Sequence, residues 1–217
     1  SAFNTNYNDN AYVGFMYGAT GASDYASTHA NTNKSTILTN LETWYTNNLK
    51  TYESVIDDNV WCNDKTNVTD TTYDPWSITP NGLGYAKNVT YYGATQRLVS
   101  ASNSAGGTGP SLNCNGKLSK ITSKIGLITA DELAFAGYAW NIDNTTTYLQ
   151  ENATGNSWWS LSPFFFDGDA RVWGVGDSNG SFGLYMSNTL AVRPSISLKS
   201  TTNVTGDGTS SSPYKVI

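Results

Sequence analysis

Between Trp158 and Leu198 the chain mixes residue types that rarely serve one structural purpose. Phe164, Phe165, Trp173, Leu184 and Tyr185 are interleaved with Asp167, Asp169, Arg171 and Asp177, and small residues fill the gaps. A core excludes the charges, and a solvated loop has no use for the aromatics. A contact surface uses both. Aromatic side chains offer area at low entropic cost, and short polar ones offer adaptable hydrogen bonds. The pattern predicts recognition, not catalysis. The plainer alternative is a surface meander with a few core aromatics.

Other reactive arrangements are sparse. Asp167 and Asp169 have the spacing with which a calcium loop begins, and Asp207 is another oxygen donor, but such residues more often make turns. No metal and no cofactor is expected. The single histidine, His29, lies in a polar stretch without a nucleophile motif, so Ser-His-Asp chemistry has no visible frame. Asp131 and Glu132 open a helix, where the dipole accounts for both. No spacing among the 17 acidic residues singles out a glycosidase pair. Cys62 and Cys114 form neither a Cys-x-x-Cys nor a zinc pattern. In so Asn/Thr-rich and Lys-poor a chain they read as one extracellular disulfide closing a long loop. The alternative is two unpaired buried thiols.

The chain has 217 residues and a net charge of −5, and only 13% of it is charged, against about a quarter in ordinary globular chains. Asn, Ser and Thr supply the polarity, and they favour turns over helix interiors. Aromatics make up 13%, enough for a sizeable core, which excludes general disorder. No Lys/Arg cluster is present, so nucleic acid is not an expected partner. No apolar run approaches a membrane span. The start, Ser1-Ala2-Phe3, reads as a mature or trimmed N-terminus.

These residues need elements to position them. Residues 11–17 read as a strand, and 24–34 as a loop. Ser35 reads as the N-cap of a helix whose apolar face is Ile37, Leu38, Leu41, Trp44, Tyr45 and Leu49. Residues 63–81 and 141–156 read as polar loops, and 83–101 as a weak strand or helix. A short strand is expected over 123–129. Thr129 then caps a helix over 130–138, with Glu132 where a capping box needs it. Strands follow at 158–161, 171–175, 182–186 and 192–198, with a turn at 205–209 and a last strand at 214–217. The expectation is one α+β domain over 1–217, two helices packed on antiparallel sheets with long loops. Trp158 and Trp159 are expected to be one core residue and one partly exposed residue.

Residues 126–137, GLITADELAFAG, resemble a signature of bacterial surface and pilin-like proteins from gut-type Firmicutes and their phages. Similar proteins carry a strand like Ala11 to Gly18. They end in a Trp…Ser-Pro segment, a variable stretch, Val-Arg-Pro-x-Ile-x-Leu and a Gly-Asp-Gly-Thr…Pro-Tyr tail, here Trp159…Pro163, Val192 to Leu198 and Gly206…Tyr214. The chain thereby resembles variable proteins of diversity-generating retroelements. That resemblance implies a C-type-lectin fold of the formylglycine-generating-enzyme kind and a variable region of about 164–190. In such systems an error-prone copy of a template replaces the variable stretch.

On that frame Phe166, Ala170, Val172, Val175, Phe182 and Met186 are spaced as inward anchors. The expected outward, ligand-binding set is Phe164, Phe165, Asp167, Asp169, Arg171, Trp173, Asp177, Ser181, Leu184, Tyr185, Ser187 and Leu190. Arg193 is expected to hold the end of the segment, through loop carbonyls or a carboxylate such as Asp131 or Glu132. The resemblance implies a secreted or cell-surface adhesin, pilus- or phage-associated, with no enzymatic activity. It would bind a protein or glycan on a cell, phage or host surface. The alternatives are a structural minor pilin, whose partners are other pilin subunits, and a carbohydrate-active enzyme.

Overall fold

Asp9 decides the first element. Its carboxylate accepts the Ala11 amide at 2.8 Å and caps a 3-10 turn over Asn10–Val13. The strand predicted over 11–17 is thereby reduced to β1, Met16–Tyr17, although Ala11, Val13 and Phe15 are still buried. Asp24 caps α1, Tyr25–His29, inside the stretch expected to be a loop, and β2, Asn33–Lys34, returns antiparallel to β1. Ser35 caps α2, Thr36–Asn48, by accepting the Leu38 amide, as expected. Ile37, Leu38, Leu41 and Tyr45 face the core, whereas Trp44 is exposed.

In this computed structural model the described residues are 1–217 without 80, 81, 84–87, 117, 143, 145, 146, 148, 150–155, 177–179 and 210; the side chains of 181 and 182 are also outside the description. β3, Asn59–Cys62, is followed by β4, Thr90–Tyr91, and α3, Gly93–Leu98. β5, Lys120–Ser123, pairs antiparallel with β3 and lies just upstream of the predicted strand, whose Ile125 and Leu127 are core residues all the same. α4, Ala130–Phe135, is shorter than predicted but opens on the expected capping box. Thr129 Oγ1 accepts the Glu132 amide at 3.1 Å, and the Glu132 carboxylate accepts the Thr129 amide at 2.8 Å.

The main sheet follows. β6, Trp158–Phe166, β7, Ala170–Val175, and β8, Ser181–Tyr185, join β4 in the order β4-β6-β7-β8, each neighbouring pair antiparallel. The fourth strand expected over 192–198 is instead a strap held by single bridges, Ser195 to Gly126 and Leu198 to Ile56. Pro194 sits in this strap and has no amide proton to give a ladder. β9, Val204–Thr205, and β10, Lys215–Val216, make a closing hairpin.

Both faces of the main sheet are covered. Trp159, Leu161, Phe166, Val172 and Met186 pack with Phe3, Phe15, α2 and Trp61. Phe164, Phe165 and Trp173 pack on the other side with Tyr73, Tyr91 and Trp140, against which Trp76 leans. Trp158 and Val175 meet Leu133 and Tyr138 of the α4 region. All nine residues of β6 are buried. The pairing of β6 with β7 shifts on either side of Pro163. A bulge of this kind breaks the two-residue alternation, which is how adjacent Phe164 and Phe165 enter one cluster while Phe166 enters the other. The chain is thus α+β with antiparallel sheets and short helices. No helix among the described residues is long and apolar enough to cross a membrane.

Candidate functional site

The pairing of β7 with β8 sets Arg171 opposite Tyr185. The Arg171 guanidinium carbon lies 4.6 Å from the Phe165 ring centre and 4.3 Å from that of Tyr185. Arg171 Nη2 donates to Asp167 Oδ2 and to Tyr185 Oη, each at 3.1 Å. Trp76 stacks on Phe165 with 5.1 Å between centres and 19° between planes. Trp76, Phe165, Arg171 and Tyr185 therefore form one row, from a loop across three strands. Its Tyr185 end is 41% exposed, whereas the Arg171 and Asp167 side chains are only 21% and 18% exposed. A cation between two rings gains about 0.5–1 kcal/mol at an exposed site and more where desolvated.

The predicted contact set divides. Asp167, Asp169, Arg171, Tyr185 and Ser187 reach the surface or its margin. Phe164, Phe165 and Trp173 do not; they are buried, contrary to the expected outward orientation. The reason is a second layer that the polarity of the long loops concealed. Trp76 comes from the first of those loops and Trp140 from the turn after α4 that leads into the second, and their indole N–H groups both donate to Asn103 Oδ1 at 3.0 Å. Gly183 admits this layer, because a Cβ there would occupy the place of the Phe164 ring. Trp158 and Trp159 are both buried, so neither is the partly exposed one. Leu184 and Leu190 are partly buried against the first core cluster instead of pointing outward. Asp177 lies outside the described residues, as does the side chain of Ser181.

No protein-family model, no curated protein and no solved structure matches this chain.

The Arg193 expectation is corrected. Its guanidinium sits 5.2 Å from the Trp158 ring centre. The carboxylates proposed for it are engaged elsewhere: Glu132 closes the capping box, and Asp131 pairs with Arg97. Arg97 was not singled out from the sequence. Its Nε and Nη2 meet Asp131 Oδ1 and Oδ2 at 2.7 and 2.8 Å, and Nη1 meets Asp64 Oδ2 at 2.8 Å. Burial works against the Arg97 charge, but the two carboxylates outweigh it and hold the pKa above its ordinary value. The Ser111 amide also donates to Asp131. A polar cleft of about 180 Å³ opens beside this cluster and the disulfide. Both aspartates already accept hydrogen bonds there, so this is a structural clasp joining α3, α4 and the 109–114 loop.

Cys62 and Cys114 form the expected disulfide, with Cα atoms 5.5 Å apart across a separation of 52 residues. Two buried groups nearby were also missed. Lys65 is fully buried, and its Nζ donates to Met16 O, His29 O and Asn31 Oδ1 at 3.0, 2.8 and 2.7 Å. Burial lowers its pKa to about 7. His29, expected in a polar loop, is buried between the edges of Tyr25 and Tyr92. Among the described residues neither of its ring nitrogens has a hydrogen-bond partner, and burial, aided by Lys65, depresses its pKa to about 3. The sequence carried only a faint signal: both residues lie in polar stretches, with Trp61 four positions before Lys65 and Tyr25 four positions before His29.

Proposed function

We propose that this chain is an extracellular, non-enzymatic recognition domain with a C-type-lectin-like fold, of the kind diversified by retroelements, and that it binds its ligand on the β7–β8 face. The observation that carries this reading is the Arg171–Tyr185 rung. On a sheet whose other described positions are mostly packed, a half-buried cation fixed between two rings reaches the margin of the surface beside the exposed Tyr185. A contact group already fixed in place gives up little freedom on binding. Around it Asp167, Asp169, Ser187 and Tyr185 sit over a core that does not depend on their identity. Substitution there changes the partner while costing the fold little.

The test is a display library randomised at 167, 169, 171, 185 and 187, set against one randomised at 164, 165 and 173. The first should keep folded members and yield binders to unrelated targets; the second should lose the fold. Unfolding of the first library, or recovery of binders only from the second, would overturn the reading.

One observation favours a second reading, subunit packing in a pilus. An apolar groove of about 370 Å³ between α2 and the strap is lined by Ile37, Leu41, Trp44, Val192 and Pro194. Under that reading Trp44→Arg blocks assembly and leaves ligand capture intact.

A further inference from the structure

The polar groups of the rung narrow the chemistry of what it can hold. Arg171 Nη2 serves Asp167 and Tyr185, while Nη1 has no hydrogen-bond partner among the described residues. Tyr185 Oη accepts from Nη2, so its own proton is left to donate. Asp167 accepts from that one guanidinium nitrogen, and a carboxylate has room for further donors. Two donors and one acceptor thus stand side by side. The charges of Asp167 and Arg171 cancel, and the phenol ring beside them carries the guanidinium against one face while the residue remains exposed.

We infer that this cluster binds adjacent hydroxyls of a neutral sugar, with the carbon face of the sugar lying on the Tyr185 ring. The inference rests on the recognition reading above and names the ligand class for the same face. A hydroxyl donates and accepts at one atom. Two neighbouring hydroxyls therefore satisfy Arg171 Nη1, the Tyr185 O–H and Asp167 together. Charge separates this class from its neighbours. Asp167 and Arg171 are already paired to each other, so an acidic sugar that reaches Arg171 also meets the Asp167 carboxylate, and an amino sugar that reaches Asp167 also meets the guanidinium, whereas a neutral sugar meets no like charge. A peptide carries donor and acceptor on different atoms and meets the three groups less completely.

The experiment uses the full chain on an array of neutral hexose oligosaccharides, their uronate and amine counterparts, and a set of extended peptides. Asp167→Asn and Tyr185→Phe are run beside it. Both keep the shape, and the second keeps the stack while removing the donor. Unchanged urea midpoints show that both remain folded. The expected result is retention of neutral saccharides, weakened about tenfold by each variant, the loss of one good hydrogen bond. Acidic or amine sugars held as well as neutral ones would overturn the inference, as would no saccharide held, or neutral binding untouched by both variants. Peptide capture that is lost in Tyr185→Ala would sink the sugar and leave the recognition face standing. If no binder from the display selection depends on the side chains it carries at 171 or 185, both fail.

Discussion

Arg171 and Tyr185 face each other across β7 and β8, with the guanidinium carbon 4.3 Å from the ring centre and Nη2 3.1 Å from the phenol oxygen. The contact sits at the edge of a sheet and holds no core together. Tyr185→Ala should therefore lower stability by only about 0.5–1 kcal/mol, read as a small shift of the urea midpoint at unchanged slope. Ligand capture should fall far more steeply. A loss of stability comparable to that of a core truncation would make the rung structural instead of functional.

Trp173 gives the contrasting case. It lies 4.8 Å from Phe164 and 5.7 Å from Trp140, ring centre to ring centre, and is fully buried. Trp173→Ala should cost about 3–5 kcal/mol. Because the rings share contacts, Trp173→Ala and Trp140→Ala should not add, with a coupling of about 0.5–3 kcal/mol in a double-mutant cycle. Additive costs would show that the second aromatic layer is not one unit.

His29 makes stability fall in acid. The fold holds it neutral down to about pH 3, while the unfolded chain takes up its proton near 6.5. Stability from this group is complete above pH 6.5 and is lost progressively as pH falls towards 3. Lys65 acts in a higher window. Its folded pKa is about 7 against 10.5 unfolded, so its contribution grows as pH rises from 7 to 10.5. Denaturation midpoints across pH should slope in both windows, and His29→Gln should flatten the acidic one alone.

Arg97 separates clasp from catalyst. Removing it strands Asp64 and Asp131, whose side chains are 4% and 6% exposed. Arg97→Met should cost about 3–5 kcal/mol, because both buried carboxylates lose the cation they share. Arg97→Met with Asp64→Asn and Asp131→Asn should recover much of it. Failure of the triple variant to recover would mean that the geometry of the clasp matters beyond its charge.

The retroelement reading makes a prediction about relatives. Differences among close copies from one population should crowd at 167, 169, 171, 185 and 187 and spare 164, 165 and 173, whose side chains are core. Sequencing such a population checks this directly. Differences spread evenly over 126–137 would remove the retroelement reading.

Local chemistry was legible wherever one residue dictates its neighbours. The Ser35 cap, the Thr129–Glu132 box, the buried face of α2 and the inward anchors Phe166, Ala170, Val172, Val175 and Met186 all follow from spacings of a few residues. So did the antiparallel character of the late strands, and the pairing of the two cysteines, for which one partner was available. The strand predicted over 192–198 failed because a strand needs a partner, and the strap at Pro194 has none for its length.

Which aromatics would be covered depended on contacts that no local pattern contains. Phe164, Phe165 and Trp173 stand in a stretch that also holds Asp167, Asp169 and Arg171, as contact residues do, yet Trp76 and Trp140, from distant parts of the chain, close over them. The bulge at Pro163 changes which face each following side chain enters, and only strand pairing reveals it. The sequence by itself determined the caps, the core anchors and the residue types available for recognition, because these depend on short-range geometry. The tertiary structure alone decided that, of the aromatics expected outward, Phe164, Phe165 and Trp173 are covered while Tyr185 stays exposed beside Arg171, because burial is set by distant segments folding over the sheet.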